Sequence, residues 1–282
     1  MKLDAHQHFW RYSAAEYPWI AKGSPLQRDW LPEDLAVLQR PLGFDGSIAV
    51  QARQSLEETR WLLALADQHP NIKGVVGWVD LSSTELPAQL EEFAAHPKLL
   101  GVRHVVQDEP DDRFMLGAEF QRGLAQLNFH GLTYDLLIFP KQLPAACAVV
   151  ARLPEQRFVL DHLAKPAIKS HQLEPWATEI RKLARHPNVL CKLSGLVTEA
   201  DHRQWRENDL TQYLEVVAEA FGPARLMIGS DWPVCLLAAS YERTLNAVMT
   251  WAQEFSAAEQ AAIFGGNCAR FYLAGRKLVT EF

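Results

Sequence analysis

Eight short apolar segments recur along the whole sequence, and they constrain the fold more than any other feature of the chain. Each segment is short enough for a buried parallel strand, and the stretch between one segment and the next shows the residue spacing of a helix. Parallel strands need a crossover connection, usually a helix, so this alternation predicts an α/β protein built on a parallel sheet. The eight segments are residues 2–8, 46–51, 74–79, 100–106, 132–137, 157–162, 189–193 and 226–229.

The stretches between these segments carry helix signals of their own. Ser55 and Ser256 are each followed three residues later by a glutamate, which is the capping-box pattern of a helix start. Strand and helix alternate eight times in 282 residues, close to the roughly 250 residues of a typical (β/α)8 barrel. We therefore predict a single-domain (β/α)8 TIM barrel over residues 1–282. A third helix is indicated by an apolar stripe of Leu210, Tyr213, Leu214, Val217 and Phe221.

A doubly wound open sheet is the other architecture that fits the same alternation. In its dinucleotide-binding form, a glycine-rich phosphate loop follows the first strand. The sequence after His8 carries no such loop. This difference favours the barrel.

Charge and hydropathy limit the partners that we expect. The formal net charge is −6, which gives no basic footprint for nucleic acid, and no apolar run approaches the roughly 20 residues of a membrane helix. The chain enters its first strand directly after Met1 and Lys2, without the apolar stretch of a signal peptide. These features predict a cytoplasmic protein that acts on a small soluble molecule. They do not predict an oligomeric state.

Two histidines near the end of the first strand form the most suggestive local pattern. His6 and His8 are two residues apart, so alternation along a strand places both imidazoles on one face, where they can reach one metal ion or one oxyanion. Asp231 follows the eighth strand, which neighbours the first strand in a closed barrel. The carboxyl ends of barrel strands are also where active sites are built. We therefore predict that Asp231 lies beside His6 and His8.

Other polar side chains at strand ends are candidates for ligand contact. His162 ends the sixth strand, while Arg103 and His104 end the fourth. A guanidinium offers paired donors to carbonyl, carboxylate or sugar oxygens, but alternation allows only one of these two side chains to face into an ideal barrel. Gln51 and Tyr134 follow the second and fifth strands and are further candidates for substrate binding, with a structural role equally open to each.

A long aromatic segment, residues 9–30, follows the first strand. It exceeds the length of most strand-to-helix connections. Aromatic side chains exclude water, so a lid over the active site is one interpretation, with Trp30 as a candidate substrate contact. A hydrophobic plug on the barrel rim or an oligomer contact is the other. The aromatic residues are Phe9, Trp10, Tyr12, Tyr17, Trp19 and Trp30.

With these residues in place, the whole chain resembles the amidohydrolase superfamily of the amidohydrolase-2 type. The resemblance is to its sugar-lactonase branch, which includes L-fuconolactonases and L-rhamnonolactonases. Six segments in the same order are far more specific than any one of them. The segments are Asp4-Ala5-His6-Gln7-His8-Phe9-Trp10, Gly101-Val102-Arg103-His104, Asp161-His162-Leu163-Ala164-Lys165-Pro166, Lys192-Leu193-Ser194-Gly195, Gly229-Ser230-Asp231-Trp232-Pro233 and Gly265-Gly266-Asn267-Cys268-Ala269-Arg270-Phe271-Tyr272.

The resemblance implies a set of catalytic roles. It implies that His6, His8 and Asp231 hold one divalent cation, zinc-like in its preferences, or replace a metal in a metal-independent enzyme. Asp231 would deprotonate the attacking water, and we expect burial at the barrel mouth to raise its pKa for that task. His162 would polarise a carbonyl or shuttle a proton. Without a metal, the histidines would donate hydrogen bonds to the developing oxyanion.

The chain departs from the metal-dependent members of this superfamily at two strands. Those proteins usually carry a lysine on strand four and a histidine on strand five. This sequence has Arg103-His104 and Tyr134-Asp135 at those places. A two-metal site is therefore not expected.

Three functions follow from these considerations, two of them enzymatic and one of them not. The first is hydrolysis of an aldono-1,4- or 1,5-lactone to its acid in sugar catabolism. The second is metal-dependent decarboxylation of an aromatic acid, and the third is a non-catalytic sugar-binding barrel. The fold by itself does not rank them. The six matched segments favour the lactonase.

Overall fold

Eight parallel strands form one sheet in sequence order in a computed structural model that describes residues 1–274. Each strand pairs with the next, and a parallel bridge between Gln7 and Trp232 joins the first strand to the residues after the last. The expected (β/α)8 barrel is confirmed. The strands are β1 (Leu3–Gln7), β2 (Gly46–Val50), β3 (Ile72–Gly77), β4 (Leu99–His104), β5 (Thr133–Leu136), β6 (Phe158–Leu160), β7 (Val189–Leu193) and β8 (Leu226–Ile228).

Helices separate the strands and begin largely where the sequence signals place them. The Ser256 hydroxyl accepts a hydrogen bond from the Glu259 backbone N–H, and the Ser256 backbone N–H donates to the Glu259 carboxylate in return, as a capping box requires. The Ser55 hydroxyl also accepts a hydrogen bond from the backbone N–H three residues on. The Glu58 carboxylate, however, accepts from the Ala52 backbone N–H in the loop before that helix. The helices are α1 (Pro32–Gln39), α2 (Leu56–Gln68), α3 (Leu86–Ala94), α4 (Ala118–Leu124), α5 (Leu143–Arg152), α6 (Trp176–Ala184), α7 (Leu196–Glu199), α8 (Glu207–Phe221), α9 (Tyr241–Trp251) and α10 (Ala257–Ala261).

The barrel interior is apolar at its amino-terminal end and charged above it. One apolar cluster takes residues from seven of the eight strands and includes Cys268 and Tyr272 from the segment after α10. The inward position of β5 is instead Asp135, whose carboxylate accepts a hydrogen bond from the Tyr272 hydroxyl at 2.6 Å. The larger apolar cluster fills the space between the sheet and the helices. Among residues 1–274, no helix is both long enough and apolar enough to cross a membrane.

Candidate active site

A cavity of about 550 Å³ opens at the carboxyl ends of the strands. His8, His162 and Asp231 lie at its base, and Arg103 reaches it from β4. Its volume falls within the roughly 300–1,000 Å³ of small-molecule sites. Loop residues form the rest of the wall, among them Glu16, Pro18, Trp19, Arg53, Gln54, Gln107, Asp108, Glu109, Leu137, Lys165, Val234 and Leu237.

Three histidines converge on the Asp231 carboxylate. Asp231 Oδ1 lies 3.2 Å from His8 Nε2 and 3.8 Å from both His6 Nε2 and His162 Nε2. The Nε2 atoms of His6 and His8 are 3.2 Å apart. The structure thus brings together the four residues that the sequence placed at three different strand ends, and all four are buried.

Backbone and hydroxyl contacts hold these side chains in place. His8 Nδ1 lies 2.7 Å from the Val50 carbonyl, and because a carbonyl only accepts, this nitrogen carries a proton and the ring turns Nε2 toward Asp231. His162 Nδ1 contacts the Ser194 hydroxyl at 2.9 Å. The Asp231 backbone N–H donates to the His6 carbonyl at 2.8 Å, which fixes the turn after β8 against β1.

The donor set of His6, His8 and Asp231 fits a divalent cation. Atoms bound to a tetrahedral zinc at 2.0–2.1 Å lie about 3.3 Å from one another, and the three separations here are 3.2, 3.2 and 3.8 Å. Two imidazoles and a carboxylate also match the three-ligand pattern of catalytic zinc sites. Arg103 Nη1 lies 3.3 Å from His6 Nε2 and can donate a hydrogen bond to this nitrogen. A cation at the cluster would need the same lone pair of His6 Nε2. A single cation therefore fits this cluster if Arg103 gives up that contact.

A charged layer lies directly beneath the histidines. Lys192 Nζ is 2.6 Å from Asp135 Oδ2, 3.0 Å from Asp161 Oδ1 and 3.2 Å from His6 Nδ1. Arg103 Nη1 is 3.0 Å from Asp161 Oδ2. Two buried cations thus face two buried carboxylates, and this layer supports His6 from below.

The buried charges shift one another's pKa in opposite directions. Burial alone would raise the pKa of Asp161, but Lys192, His6 and Arg103 together bring it well below its usual value. Burial would lower the pKa of Lys192, yet Asp135 and Asp161 raise it overall. Both groups are therefore ionised at neutral pH. Burial and the neighbouring Lys192 instead keep the pKa of His6 well below its usual value, so His6 is neutral.

The pKa of Asp231 corrects one expectation from the sequence. Burial does favour a raised pKa, but the attraction of His162 and the contacts of His8 and His6 outweigh it, and the Asp231 pKa falls below its ordinary value. Asp231 is therefore an ionised hydrogen-bond acceptor throughout the working pH range. Burial lowers the pKa of His162 to about 4 against the opposing attraction of Asp231, so this imidazole is neutral and can accept a proton.

The turn that carries His162 has an unusual backbone. Four consecutive residues without a glycine, 162–165, have φ between 50° and 59°, in the left-handed region. Each such residue costs roughly 1–2 kcal/mol relative to ordinary backbone. The Lys165 N–H donates to the His162 carbonyl at 2.7 Å, and Trp176 Nε1 donates to the Leu163 carbonyl at 2.6 Å. These contacts hold a costly turn that delivers both His162 and Lys165 to the cavity.

Arg103 and His104 point to opposite faces of β4, as the sequence indicated. Arg103 faces the cavity, whereas His104 points to the helix layer, where it stacks on Phe114 and contacts Glu109 at 2.7 Å. His104 therefore does not line the cavity. Gln51 lies behind Arg103, since its Nε2 donates to the Arg103 carbonyl at 3.3 Å and its own carbonyl accepts from the guanidinium. Gln51 therefore positions Arg103 and does not itself line the cavity.

Two further candidates for substrate contact are corrected by their placement. Tyr134 lies on the outer face of β5, edge-on to Phe120 and Phe158, because the inward position of that strand belongs to Asp135. Trp30 packs edge-on against Trp232 under the Arg28 guanidinium. Neither side chain lines the cavity, and we do not propose substrate contact for either.

The aromatic segment 9–30 divides between two roles. Most of its aromatic residues are buried against the barrel rim, as the plug interpretation expects. Glu16, Pro18 and Trp19 line the cavity instead. Glu16 holds Arg53 through an ion pair of 2.5 Å, so this part of the segment forms one wall of the site.

The chain is similar along its length to several known proteins. A family model described as Amidohydrolase matches residues 3–273. An L-fucono-1,5-lactonase of Burkholderia multivorans is 48% identical and covers 96% of each chain, and one of Burkholderia ambifaria is 37% identical over 98% of this chain and 96% of its own. The crystal structure of an amidohydrolase from Burkholderia multivorans with bound zinc superposes with a TM-score of 0.93 at 48% identity, covering 96% of this chain and 99% of that one.

Proposed function

The chain belongs to the amidohydrolase family, and from that membership we propose that it hydrolyses a small sugar lactone to the corresponding aldonic acid. The convergence of His6, His8 and His162 on Asp231 at the base of an open cavity carries this proposal. The names of the two Burkholderia relatives make L-fucono-1,5-lactone the first substrate to test. A cavity of about 550 Å³ has room for a monosaccharide ring.

Opening a lactone needs an activated water, a polarised carbonyl and a proton for the departing alkoxide. Asp231 accepts a hydrogen bond from the attacking water and holds it against the carbonyl carbon. Because the pKa of Asp231 is low, it needs help as a base, and the neutral imidazole of His162, 3.8 Å away, receives the proton as charge develops. Arg103 lines the cavity and offers guanidinium donors to the carbonyl oxygen.

His6, His8 and Asp231 are the residues that would hold a divalent cation. When bound there, such a cation would polarise the carbonyl and lower the pKa of a coordinated water. In a metal-independent reaction, Arg103 and the histidines would serve the oxyanion by hydrogen bonds. Lys192 and Asp161 keep the His6 ring in place in either case.

A panel of 1,4- and 1,5-lactones tests the proposal. Acid release is followed with a pH indicator on protein as purified, after chelator treatment, and after zinc is restored. Turnover of at least one sugar lactone is expected, well above the rate without enzyme. If no lactone is turned over in any of these states, the proposal is wrong, and aromatic acids would then test decarboxylation. Saturable sugar binding without turnover would indicate a binding barrel.

A variant of His6 and His8 tests whether the reaction requires a metal. We expect His6→Asn/His8→Asn to lose bound zinc, measured by elemental analysis, together with activity. A native enzyme that keeps full activity after complete zinc removal would leave the metal-independent reaction as the correct one.

We predict that kcat/KM for a lactone stays level between about pH 5.5 and 6.5. Asp231 remains ionised and His162 remains neutral across this interval, because burial lowers the His162 pKa to about 4. Rates are measured in a pH-stat. An acidic limb centred near pH 6.5 that persists in Glu58→Gln would mean that His162 titrates at its ordinary pKa and would contradict the prediction.

Glu58 provides the control for that profile. Burial raises its pKa to about 7, and its carboxylate anchors the Arg53 backbone beside the cavity. A limb near pH 7 that disappears in Glu58→Gln would report on this anchor and not on His162.

A further inference from the structure

Lys165 differs from the other lysine and arginine side chains that line the cavity. Arg53 pairs with Glu16 at 2.5 Å, and Arg103 pairs with Asp161 at 3.0 Å. Within residues 1–274, Lys165 has no carboxylate within 4.0 Å, and its Nζ lies 5.5 Å from the centre of the Phe139 ring. Lys165 therefore brings a positive charge to the cavity that no described carboxylate pairs with directly.

The backbone explains why this lysine faces the site. It ends the run of four left-handed residues, and its N–H closes a tight turn onto the His162 carbonyl. Residues three apart in such a turn project to the same side, so His162 and Lys165 both reach the cavity. Left-handed backbone is costly for residues with a Cβ, and such conformations concentrate at functional sites.

Departure of the ring oxygen of the lactone needs a proton donor besides Asp231, His162 and Arg103. Asp231 and His162 handle the proton of the attacking water, and Arg103 serves the carbonyl oxygen. Nothing yet supplies a proton to the ring oxygen, whose alkoxide is a poor leaving group. We propose that Lys165 is the general acid that protonates this oxygen, an inference that rests on the proposed lactonase function.

Water oxygen bonds to the carbonyl carbon while its proton passes to the Asp231–His162 pair. The bond between that carbon and the ring oxygen then breaks, its electron pair goes to the ring oxygen, and the Lys165 ammonium transfers a proton there. Lys165 is reprotonated from solvent, and the proton held by the Asp231–His162 pair leaves to solvent.

A lactone and the matching thiolactone distinguish this role from sugar binding. A thiolate departs without the protonation that an alkoxide needs, while the hydroxyl groups of the two compounds are the same. Lys165→Met is expected to lower kcat on the oxygen lactone by about 10²–10³-fold, as loss of a general acid does. Its kcat on the thiolactone should fall less than tenfold, with KM little changed for both.

Lys165→Arg is the conservative companion variant. It keeps the positive charge but gives up its proton far less readily, so we expect near-native KM and a kcat on the lactone as low as that of Lys165→Met. Equal losses on both compounds, or a change confined to KM, would overturn the assignment in favour of sugar binding. Circular dichroism and thermal midpoints show whether both variants fold.

If the native enzyme turns over no lactone, the lactonase proposal fails. If the native enzyme is active and Lys165→Met retains its kcat on the lactone, only the general-acid assignment is wrong.

Discussion

Replacing Asp231 by asparagine should lower kcat on a lactone by about 10²–10⁴-fold, the range typical of a lost general base. The amide has the size of the carboxylate but no negative charge, so it neither attracts the water proton nor stabilises a proton on His162, 3.8 Å away. Steady-state kinetics with a saturating lactone measures the effect, and we expect KM to change much less than kcat.

A surface carboxylate gives the matched control. Asp112→Asn makes the same chemical change in a half-exposed ion pair with Lys141, so it should leave kcat within twofold of native. Zinc content is measured on the same samples, because Asp231 is also a candidate ligand. An Asp231→Asn enzyme with near-native kcat would exclude Asp231 from catalysis.

The second large effect should fall on stability. Lys192→Met leaves Asp135 and Asp161 without the buried ammonium that lies 2.6 and 3.0 Å from their oxygens. Removing one partner from a buried ion pair typically costs 3–5 kcal/mol, because the remaining charge is neither solvated nor paired. We expect a thermal midpoint lower by roughly 10 °C. Differential scanning calorimetry measures this shift.

A change of pH separates the electrostatic cause from a simple packing defect. Burial and Asp161 already raise the pKa of Asp135, and the loss of Lys192 would raise it further. A protonated Asp135 carries no uncompensated charge, so the stability deficit of Lys192→Met should shrink as the pH falls toward 5. The double variant Lys192→Met/Asp135→Asn should recover part of the loss. A deficit that is independent of pH and unchanged in the double variant would point to packing instead.

The barrel and the cluster of His6, His8 and Asp231 follow from sequence because both depend on periodicity and topology. Apolar runs and helix caps identify the strands and helices one by one, and closure of the sheet then brings Asp231 to His6 and His8. No distance needs to be known for that conclusion. The order of the strands is enough.

The face of each strand residue is harder to infer. Asp135 and Tyr134 are adjacent, and only the pairing of β5 with its neighbours decides that the carboxylate enters the barrel while the phenol joins the outer core. Register shifts in β1 complicate the same question there. Lys192, Asp135 and Asp161 carried a usable signal, since charged residues inside otherwise apolar strands must find partners of opposite charge.

The pKa of Asp231 and the loop walls lie beyond what sequence patterns reach. Burial and nearby imidazoles act on Asp231 in opposite directions, and only distances show which is stronger. Trp19 and Trp30 belong to one aromatic segment, yet only Trp19 lines the cavity. Composition gives no means of distinguishing them.

The left-handed turn at residues 162–165 has a thermodynamic consequence for ligand recognition. Its cost is met once, when the protein folds, and the loop carrying His162 and Lys165 then has little conformational freedom left to lose. Association with a lactone should therefore carry only a small entropy loss from the protein. We expect Ala164→Gly to make that entropy loss larger, because the more flexible loop must become ordered on each binding event. Isothermal titration calorimetry measures the binding entropy.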